Sequence, residues 1–351
     1  MLKKVAIIIS PNYKDYAEKY LEDCINSLRK QDYQGELKIF ISDNASSDKS
    51  YVFLKKTAPE VEIIKNKNND GFAKGNNDAM RLAINRGFEY IILFNLDTIV
   101  DKNAISEMVK AAESDSRIGA VQARLMLWPE KEKINSLGND IHFLGFGYCW
   151  GYGQKYKKNH MVAKNIAYPS GAAVLFKTEV LKKVGLFDEE YWMYNEDQDL
   201  GWRIWLAGYK CVLAPKAVVC HKYKFARSIK NYYWMDRNRI ITIIKNYHTL
   251  TLLLIFPAFI IMELGLLVFS LANGWFKEKL KIYYFFLLPK NWKYLLKARS
   301  DSQKLRKVKD KDIAKRFSGR IWYQEIDDLK LRIINPIFNL YWQIIKKIII
   351  W

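Results

Sequence analysis

The sequence predicts an α/β fold over residues 1–225, followed over residues 226–351 by a mainly α-helical region of different character. Three observations carry that prediction. Tyr90-Ile-Ile-Leu-Phe-Asn-Leu-Asp97 is apolar without alternation from Ile91 to Phe94 and ends abruptly in a carboxylate, as suits a strand buried on both faces of a parallel sheet. Similar apolar runs begin at Val5, Leu37 and Val61, separated by segments with helical spacing or turn chemistry. Charge is distributed unevenly: of the net +20, residues 226–351 hold 24 Lys and Arg against 9 Asp and Glu, a surplus of 15, so a nearly balanced first part precedes a strongly basic, aromatic-rich one.

In order, Val5 to Ser10 reads as a first strand, and Ala17, Leu21, Cys24, Ile25 and Leu28 space out a helix from Ala17 to Arg29. Leu37 to Ile41 is a second strand that delivers Ser42, Asp43 and Asn44 to its carboxyl edge, with Ser46-Ser47-Asp48 as a helix cap. Val61 to Ile64 is a third. It leads into Asn66 to Asn77, a loop with two glycines, five asparagines and two lysines that opens a helix from about Asp78 to Asn85. Glycines let a backbone approach closely, a helix start offers free N–H groups and Lys74 adds positive charge, which suits a phosphate; composition alone also allows a plain glycine-rich turn. The opening run is the fourth strand. It places Asp97 outside a carboxyl end, where α/β sheets bind ligands and where an acid can hold a cation or a hydroxyl.

Beyond Asp97, Lys102 to Ala112 reads as a helix and Ile118 to Val121 as a strand. Residues 134–160 form a glycine- and aromatic-rich excursion whose Phe143, Tyr148, Trp150 and Tyr152 fit either stacking on a sugar face or ordinary packing. Ala167 to Phe176 resumes strand character, and Thr178 to Gly185 is a short helix with a glycine stop. Glu196, Asp197 and Asp199 then crowd the start of a helix running to Leu206. Acids in a first turn favour the helix dipole without further purpose, but the aromatics Tyr191, Trp192 and Tyr194 beside them would desolvate them and tune a base. Strands from Lys210 to Leu213 and Ala217 to Cys220 end at His221, which by itself reads as structural or solvated.

Four cysteines without a CxxC pair argue against a disulfide framework or a zinc ribbon. The N-terminal apolar run is too short for a signal-peptide core. Both place the first 225 residues in the cytoplasm.

Taken together, Asn69-Asp-Gly-Phe-Ala-Lys-Gly-Asn-Asn77, Asp43 after the second strand, Asn95-Leu-Asp97 and Gly171-Ala-Ala-Val-Leu-Phe before Glu196-Asp197-Gln-Asp199-Leu-Gly-Trp-Arg203 resemble the ordered motifs of family 2 glycosyltransferases of the GT-A fold, rhamnosyltransferase-like members in particular. The resemblance covers roughly residues 3–225. It implies a Rossmann-like nucleotide-diphospho-sugar transferase domain in which Ser10, Pro11, Asn12 and Asp43 hold base and ribose. Gly71, Lys74 and Asn76 would then lie near the diphosphate, with Asn95 and Leu96 also lining the nucleotide sugar. It implies Mg2+ or Mn2+ on Asp97 and His221, Asp197 as catalytic base, and Trp192, Glu196, Asp199 and Arg203 as acceptor contacts or supports. Asn95 stands where a strict DXD motif has its first acid, which leaves more of the coordination to the donor phosphates. The implied activity is inverting transfer of a sugar, rhamnose first by analogy, from a nucleotide-sugar donor to a hydroxyl of a lipid-linked glycan in cell-surface polysaccharide synthesis. The alternative is a non-catalytic scaffold that keeps the fold within a membrane glycan-assembly complex.

Leu250 to Phe276 is an apolar run long enough to span a bilayer, interrupted by Glu263 and Pro257; an in-plane or re-entrant arrangement is equally allowed. Lys293 to Arg320 is densely basic, and Ile333 to Trp351 is apolar and aromatic with flanking lysines. Basic residues interleaved with Trp, Tyr and Leu suit an anionic membrane surface, so the expected location is the cytoplasmic face of the cell membrane. No nucleic-acid motif accompanies the charge, and a homo-oligomer is compatible with it.

Overall fold

The computed structural model describes residues 2–157, 160–222, 229–322 and 328–351, which gather into two compact units. The first holds residues 2–139, 149–204 and 209–222; the second holds 140–148, 205–208 and the chain from 229 on. The boundary expected at 225/226 lies outside the described residues.

The first unit opens with β1 (Val5–Asn12), α1 (Tyr16–Leu28), β2 (Leu37–Asn44), α2 (Asp48–Thr57), β3 (Glu62–Asn66), α3 (Gly71–Asn85) and β4 (Tyr90–Phe94). The chain continues through β5 (Thr98–Val100), α4 (Ala104–Glu113), β6 (Ile118–Leu127), β7 (Ile134–Ser136), β8 (Asn139–His142), β9 (Gly147–Cys149), β10 (Ala173–Lys177), α5 (Thr178–Val184), α6 (Glu196–Leu206) and β11 (Lys210–His221). The main sheet runs β3-β2-β1-β4-β10-β6-β11-β5, with β7 beside β6. Strands β1 to β4 pair in parallel, whereas β10 is antiparallel to both β4 and β6. The sheet is therefore α/β but mixed: β4, read as wholly parallel, has one antiparallel neighbour. Ile91 to Phe94 are buried, as two-sided cover requires, and the predicted stripe of α1 faces this core.

Four expectations about elements change. Ser42 to Asn44 belong to β2 rather than to a loop, and Pro11 and Asn12 close β1. The Gly71 to Asn77 loop is two turns of α3. Local propensity is overridden here by packing: Ser42 Oγ donates to the Gly75 carbonyl at 2.5 Å, Asn44 Nδ2 to that of Gly71 at 2.9 Å, and a Cβ on Gly75 would strike the Pro11 ring. The strand expected from Ala167 is formed only from Ala173. The two strands expected between Lys210 and Cys220 are one, whose register shifts between Ala214 and Val218, around Pro215 with its missing N–H.

The second unit continues with α7 (Ile229–Asn246), α8 (Thr249–Ala272), α9 (Phe276–Leu287), α10 (Pro289–Lys304), α11 (Asp310–Ala314), β12 (Phe317–Ser318) and α12 (Asp328–Ile348). β12 pairs in parallel with β8 at Phe317↔Ile141 and Ser318↔His142. Phe143 stacks on Trp342, centroids 4.9 Å apart and planes 7° apart, with both rings fully buried. That removes Phe143 from the candidates for sugar stacking: it is core. Glu263, costly as a lone charge in an apolar helix, is instead buried in a neutral network. It pairs with Arg239 of α7 and, at 2.8 Å, with Lys279 of α9, while Asp236 completes the set 2.5 Å from Lys279 and 2.7 Å from Arg239.

Candidate active site

Parallel pairing of β1 and β4 brings their carboxyl ends together. Leu96 N–H donates to Ser10 Oγ at 3.0 Å, and Lys222 N–H donates to the Asp97 carbonyl at 2.9 Å. The Asn95–Asp97 turn is thus pinned between the ends of β1 and β11. His221 ends β11, and its Nε2 lies 3.1 Å from Asp97 Oδ1 in a pair that is almost wholly buried. Its Nδ1 lies 3.0 Å from Asn135 Oδ1. Burial pushes the Asp97 carboxyl up, but the charge and hydrogen bond of His221 outweigh it and hold the group below the usual carboxylate range.

Oxygen acceptors therefore face both ring nitrogens. A neutral imidazole has one N–H, so the ring can donate to Asn135 through Nδ1 or to Asp97 through Nε2. Asn95 Nδ2 is 3.4 Å from the same Nε2, while Asn95 Oδ1 is buried without a hydrogen-bond partner among the described residues. Carboxylate, imidazole and orphaned amide oxygen are a donor set that fits Mg2+ or Mn2+. No group of three or more His, Cys, Asp or Glu gathers among the described residues, so most of a cation's shell there would come from elsewhere.

Asn95 N–H donates to the Ala172 carbonyl at 3.0 Å, and the next residue back, Gly171, donates its N–H to Asp197 Oδ2 at 3.1 Å. One strand pairing thus sets Asp197 at the same sheet edge as Asp97. Asp197 Oδ1 accepts from Gln198 N–H at 2.8 Å. Burial raises its pKa to about 6 against the pull of these two N–H donors. Glu196 is raised well above its ordinary value, first by burial and then by the Asp197 charge, and its Oε2 is buried without a hydrogen-bond partner among the described residues.

The remaining predicted residues are placed differently. Asp199 is fully buried, 2.9 Å from Arg203 Nε, and the Arg203 guanidinium also donates to the Val184 and Leu186 carbonyls at 2.5 and 2.7 Å. This pair locks α6 to the end of α5 and is unsuited to touching an acceptor. Two donors of the α3 N-terminus are already used: Gly71 N–H goes to Asn69 Oδ1 at 3.2 Å and Ala73 N–H to the Trp192 carbonyl at 3.1 Å. Lys74 Nζ sits between Asp70 and Asp78 at 3.1 and 2.9 Å, and Asn76 Nδ2 bonds Phe72 within the helix. The start of α3 braces the loop before α6, where Trp192, Tyr194 and Asn195 hold left-handed φ of 57, 68 and 64°. Trp192 lies against Gly71, whose φ of 82° and missing Cβ both serve this contact. At the far edge, Asn12 Nδ2 donates to Asp43 Oδ1 at 2.9 Å and Ser46 Oγ to the same oxygen at 2.5 Å, while Asn12 Oδ1 accepts from Ala17 N–H.

Four contributors are not legible as such in the sequence. Asn135 orients His221 from within the excursion, and nothing local announces it. Gly171 stood in a recognised motif, but its role depends on α6 arriving above it. Tyr16 lies near enough for the Asp97 charge, after burial, to raise its hydroxyl pKa, and Tyr13 stacks on it at 4.9 Å; their i, i+3 spacing after β1 was the available signal.

The mixed α/β sheet followed by a helical region is the GT-A fold. Two solved structures share the fold. GalNAc-T7 with UDP, GalNAc and Mn2+ matches at a TM-score of 0.53 and 14% identity, covering 69% of this chain and 48% of that one. Mannosyltransferase PcManGT from Pyrobaculum calidifontis, in complex with GDP-Man and Mn2+, matches at 0.50 and 15%, covering 86% of each. The chain belongs to glycosyl transferase family 2, whose model matches residues 7–185. Poly-beta-1,6-N-acetyl-D-glucosamine synthase of Staphylococcus epidermidis is 24% identical over 199 residues, 56% of this chain and 45% of that protein. The chain thus spans about half the length of the curated relatives it matches.

Proposed function

We propose that this chain is a metal-dependent, inverting glycosyltransferase that moves a sugar from a nucleotide-sugar donor to a hydroxyl of a lipid-linked glycan at the cytoplasmic face of the cell membrane, in the synthesis of a cell-surface polysaccharide. The observation that carries this reading is Asp197, a carboxylate of raised basicity held by the Gly171 N–H at the sheet edge that also bears Asp97 and His221. Family membership and the nucleotides and Mn2+ named with the two structural neighbours support it.

Mg2+ or Mn2+ held by Asp97 and His221 would offset the charge developing on the leaving nucleotide diphosphate. Asp97 and Asn95 orient the donor at the end of β4, and Asp43 with Asn12 closes the base and ribose side. Two N–H donors fix the Asp197 carboxylate and leave it lone pairs for the acceptor hydroxyl. As the acceptor oxygen bonds to the anomeric carbon from the face opposite the diphosphate, the bond to the diphosphate breaks and the hydroxyl proton passes to Asp197. A pKa of about 6 keeps Asp197 ionised at neutral pH yet more basic than an ordinary carboxylate. Rhamnose from a thymidine diphosphate is the first donor to test, with uridine-diphosphate N-acetylglucosamine beside it because of the named relatives.

The test is a binding and hydrolysis screen of nucleotide sugars with Mg2+ or Mn2+, comparing wild type, Asp97→Ala and Asp197→Asn. One donor should bind, less tightly to Asp97→Ala, while Asp197→Asn binds it and loses turnover. If no nucleotide sugar binds with either metal, the enzymatic reading fails and the scaffold reading replaces it.

A further inference from the structure

We infer that α8 lies in the plane of an anionic bilayer rather than across it, and that the outward faces of α8 and α12 together enter one leaflet. This rests on the membrane location proposed above and specifies its geometry.

By length and composition α8, with 24 residues, could cross a membrane, the one such helix among the described residues. Its surroundings decide otherwise. One face is committed along the whole helix: Thr251 Oγ1 accepts from Trp351 Nε1 at 2.9 Å, the Leu254 carbonyl from Tyr341 Oη at 2.6 Å, and Glu263 is ion-paired to α7 and α9. A spanning α8 would carry into hydrocarbon the segment of α7 that holds Asp236, Arg237 and Arg239. It would also carry α9, which includes Lys277, Glu278 and Lys281 and, with 12 residues, reaches only about 18 Å at the helical rise. A helix fixed to such neighbours on one side can offer lipid only the other side.

That other side is uniformly apolar. Leu253, Phe256, Ile260, Leu264, Val268 and Leu271 follow one another at helical spacing and are 41–67% exposed. α12, which touches α8 through Tyr341, carries two apolar stripes. Phe338, Trp342 and Ile345 are buried, whereas Ile333, Ile337, Leu340, Ile344 and Ile348 are 52–65% exposed. Scattered exposed apolar residues are ordinary, but two helix-long stripes on neighbouring helices call for an occupant. Charge selects it. Residues 226–351 carry a surplus of 15 positive charges, which opposes a second copy and attracts anionic headgroups. On α9 and α10 the exposed Lys281, Lys290, Lys293 and Lys297 alternate with exposed Tyr284 and Trp292, the composition of a headgroup layer.

The test uses the full chain with vesicles of phosphatidylcholine, with or without phosphatidylglycerol. A Cys149→Ser background carries single cysteines at Leu253, Ile260 or Val268, labelled with an environment-sensitive fluorophore. Co-flotation is expected with anionic vesicles and at least tenfold less with neutral ones, and Leu264→Glu with Leu340→Glu should abolish it while donor hydrolysis is kept. Depth-graded quenching lipids should place all three labels at one shallow depth. A depth that changes steadily from Leu253 to Val268 means a spanning helix and overturns the inference. So does absence of flotation, or self-association in lipid-free buffer that the glutamates abolish. A chain that floats with its labels shallow but binds no nucleotide sugar would retire the catalytic reading and leave this one standing.

Discussion

At the scale of single residues, chemistry and stability pull Asp197 in opposite directions. Its folded pKa of about 6 lies above the ordinary 3.8, so the folded protein holds that proton more tightly than the unfolded chain does. The stability this gives is fully present below about pH 4 and is lost as pH rises through about 6. On the proposed role of Asp197 as base, turnover needs the carboxylate and rises over the same interval. The acid limb of the kcat/KM profile should therefore break near pH 6. Asp197→Asn should cost roughly 10²- to 10⁴-fold in kcat, and the Asp197 contribution to wild-type stability should fall as pH rises from about 4 through about 6; a proton release on unfolding at about pH 5 that Asp197→Asn leaves unchanged would show that Asp197 carries none of it. Asn135→Ala tests the His221 geometry. It should weaken Mn2+ binding roughly 10- to 100-fold, the range for losing a residue that orients a metal-binding histidine, with calorimetric titration as the check.

At the scale of elements, two contacts set the order of the fold. Gly71 combines a φ of 82° with a Trp192 ring where its Cβ would stand. Gly71→Ala should cost about 1–2 kcal/mol for the left-handed backbone alone. Because the clash displaces the loop before α6, it should lower kcat more than it weakens donor binding; an unchanged kcat would detach that loop from the chemistry. The Asp236, Arg239, Glu263 and Lys279 network binds α7, α8 and α9. Replacing one member leaves a buried charge uncompensated, so Lys279→Met should cost about 3–5 kcal/mol in urea unfolding. A loss near zero would mean that water or lipid already compensates Glu263 and Asp236.

At the scale of the whole molecule, the second unit is not confined to the C-terminal part of the chain. It draws in residues 140–148 and 205–208 from earlier in the chain, so that Phe143 stacks on Trp342, and the Arg316 guanidinium lies 3.6 Å from the centre of the Trp205 ring. Deleting residues 229–351 strips Phe143, Leu144 and Trp205 of their cover, and the truncated chain is expected to aggregate on expression, by size-exclusion chromatography. A monodisperse, cooperatively folding truncation would show that those segments fold without the helices.

Much of this was legible in the sequence because it depends on periods and termini. The runs at Val5, Leu37 and Tyr90, the stripe of α1, the Ser47 cap of α2 and the acidic start of α6 are local patterns, and each formed where expected. The edge position of Asp97 follows from the same logic, since a buried strand must end where polarity begins. What local pattern could not decide was partnership. The Gly71 to Asn77 segment has the composition of a loop and became helix because Ser42 and Asn44 of β2 supply partners for its backbone, while Pro11 and Trp192 leave room only for glycine at 75 and 71. His221 and Asn135 lie 86 residues apart, and Gly171 meets Asp197 only through the pairing of β10 with β4. Glu263, an anomaly in a linear apolar run, became part of a neutral core once α7 and α9 brought it two cations. Local pattern along the chain set which segments become strands and helices and where charge accumulates. The tertiary structure decided which polar groups neutralise one another and which are left to act, because a buried charge is stable only beside a partner that the chain brings from far away.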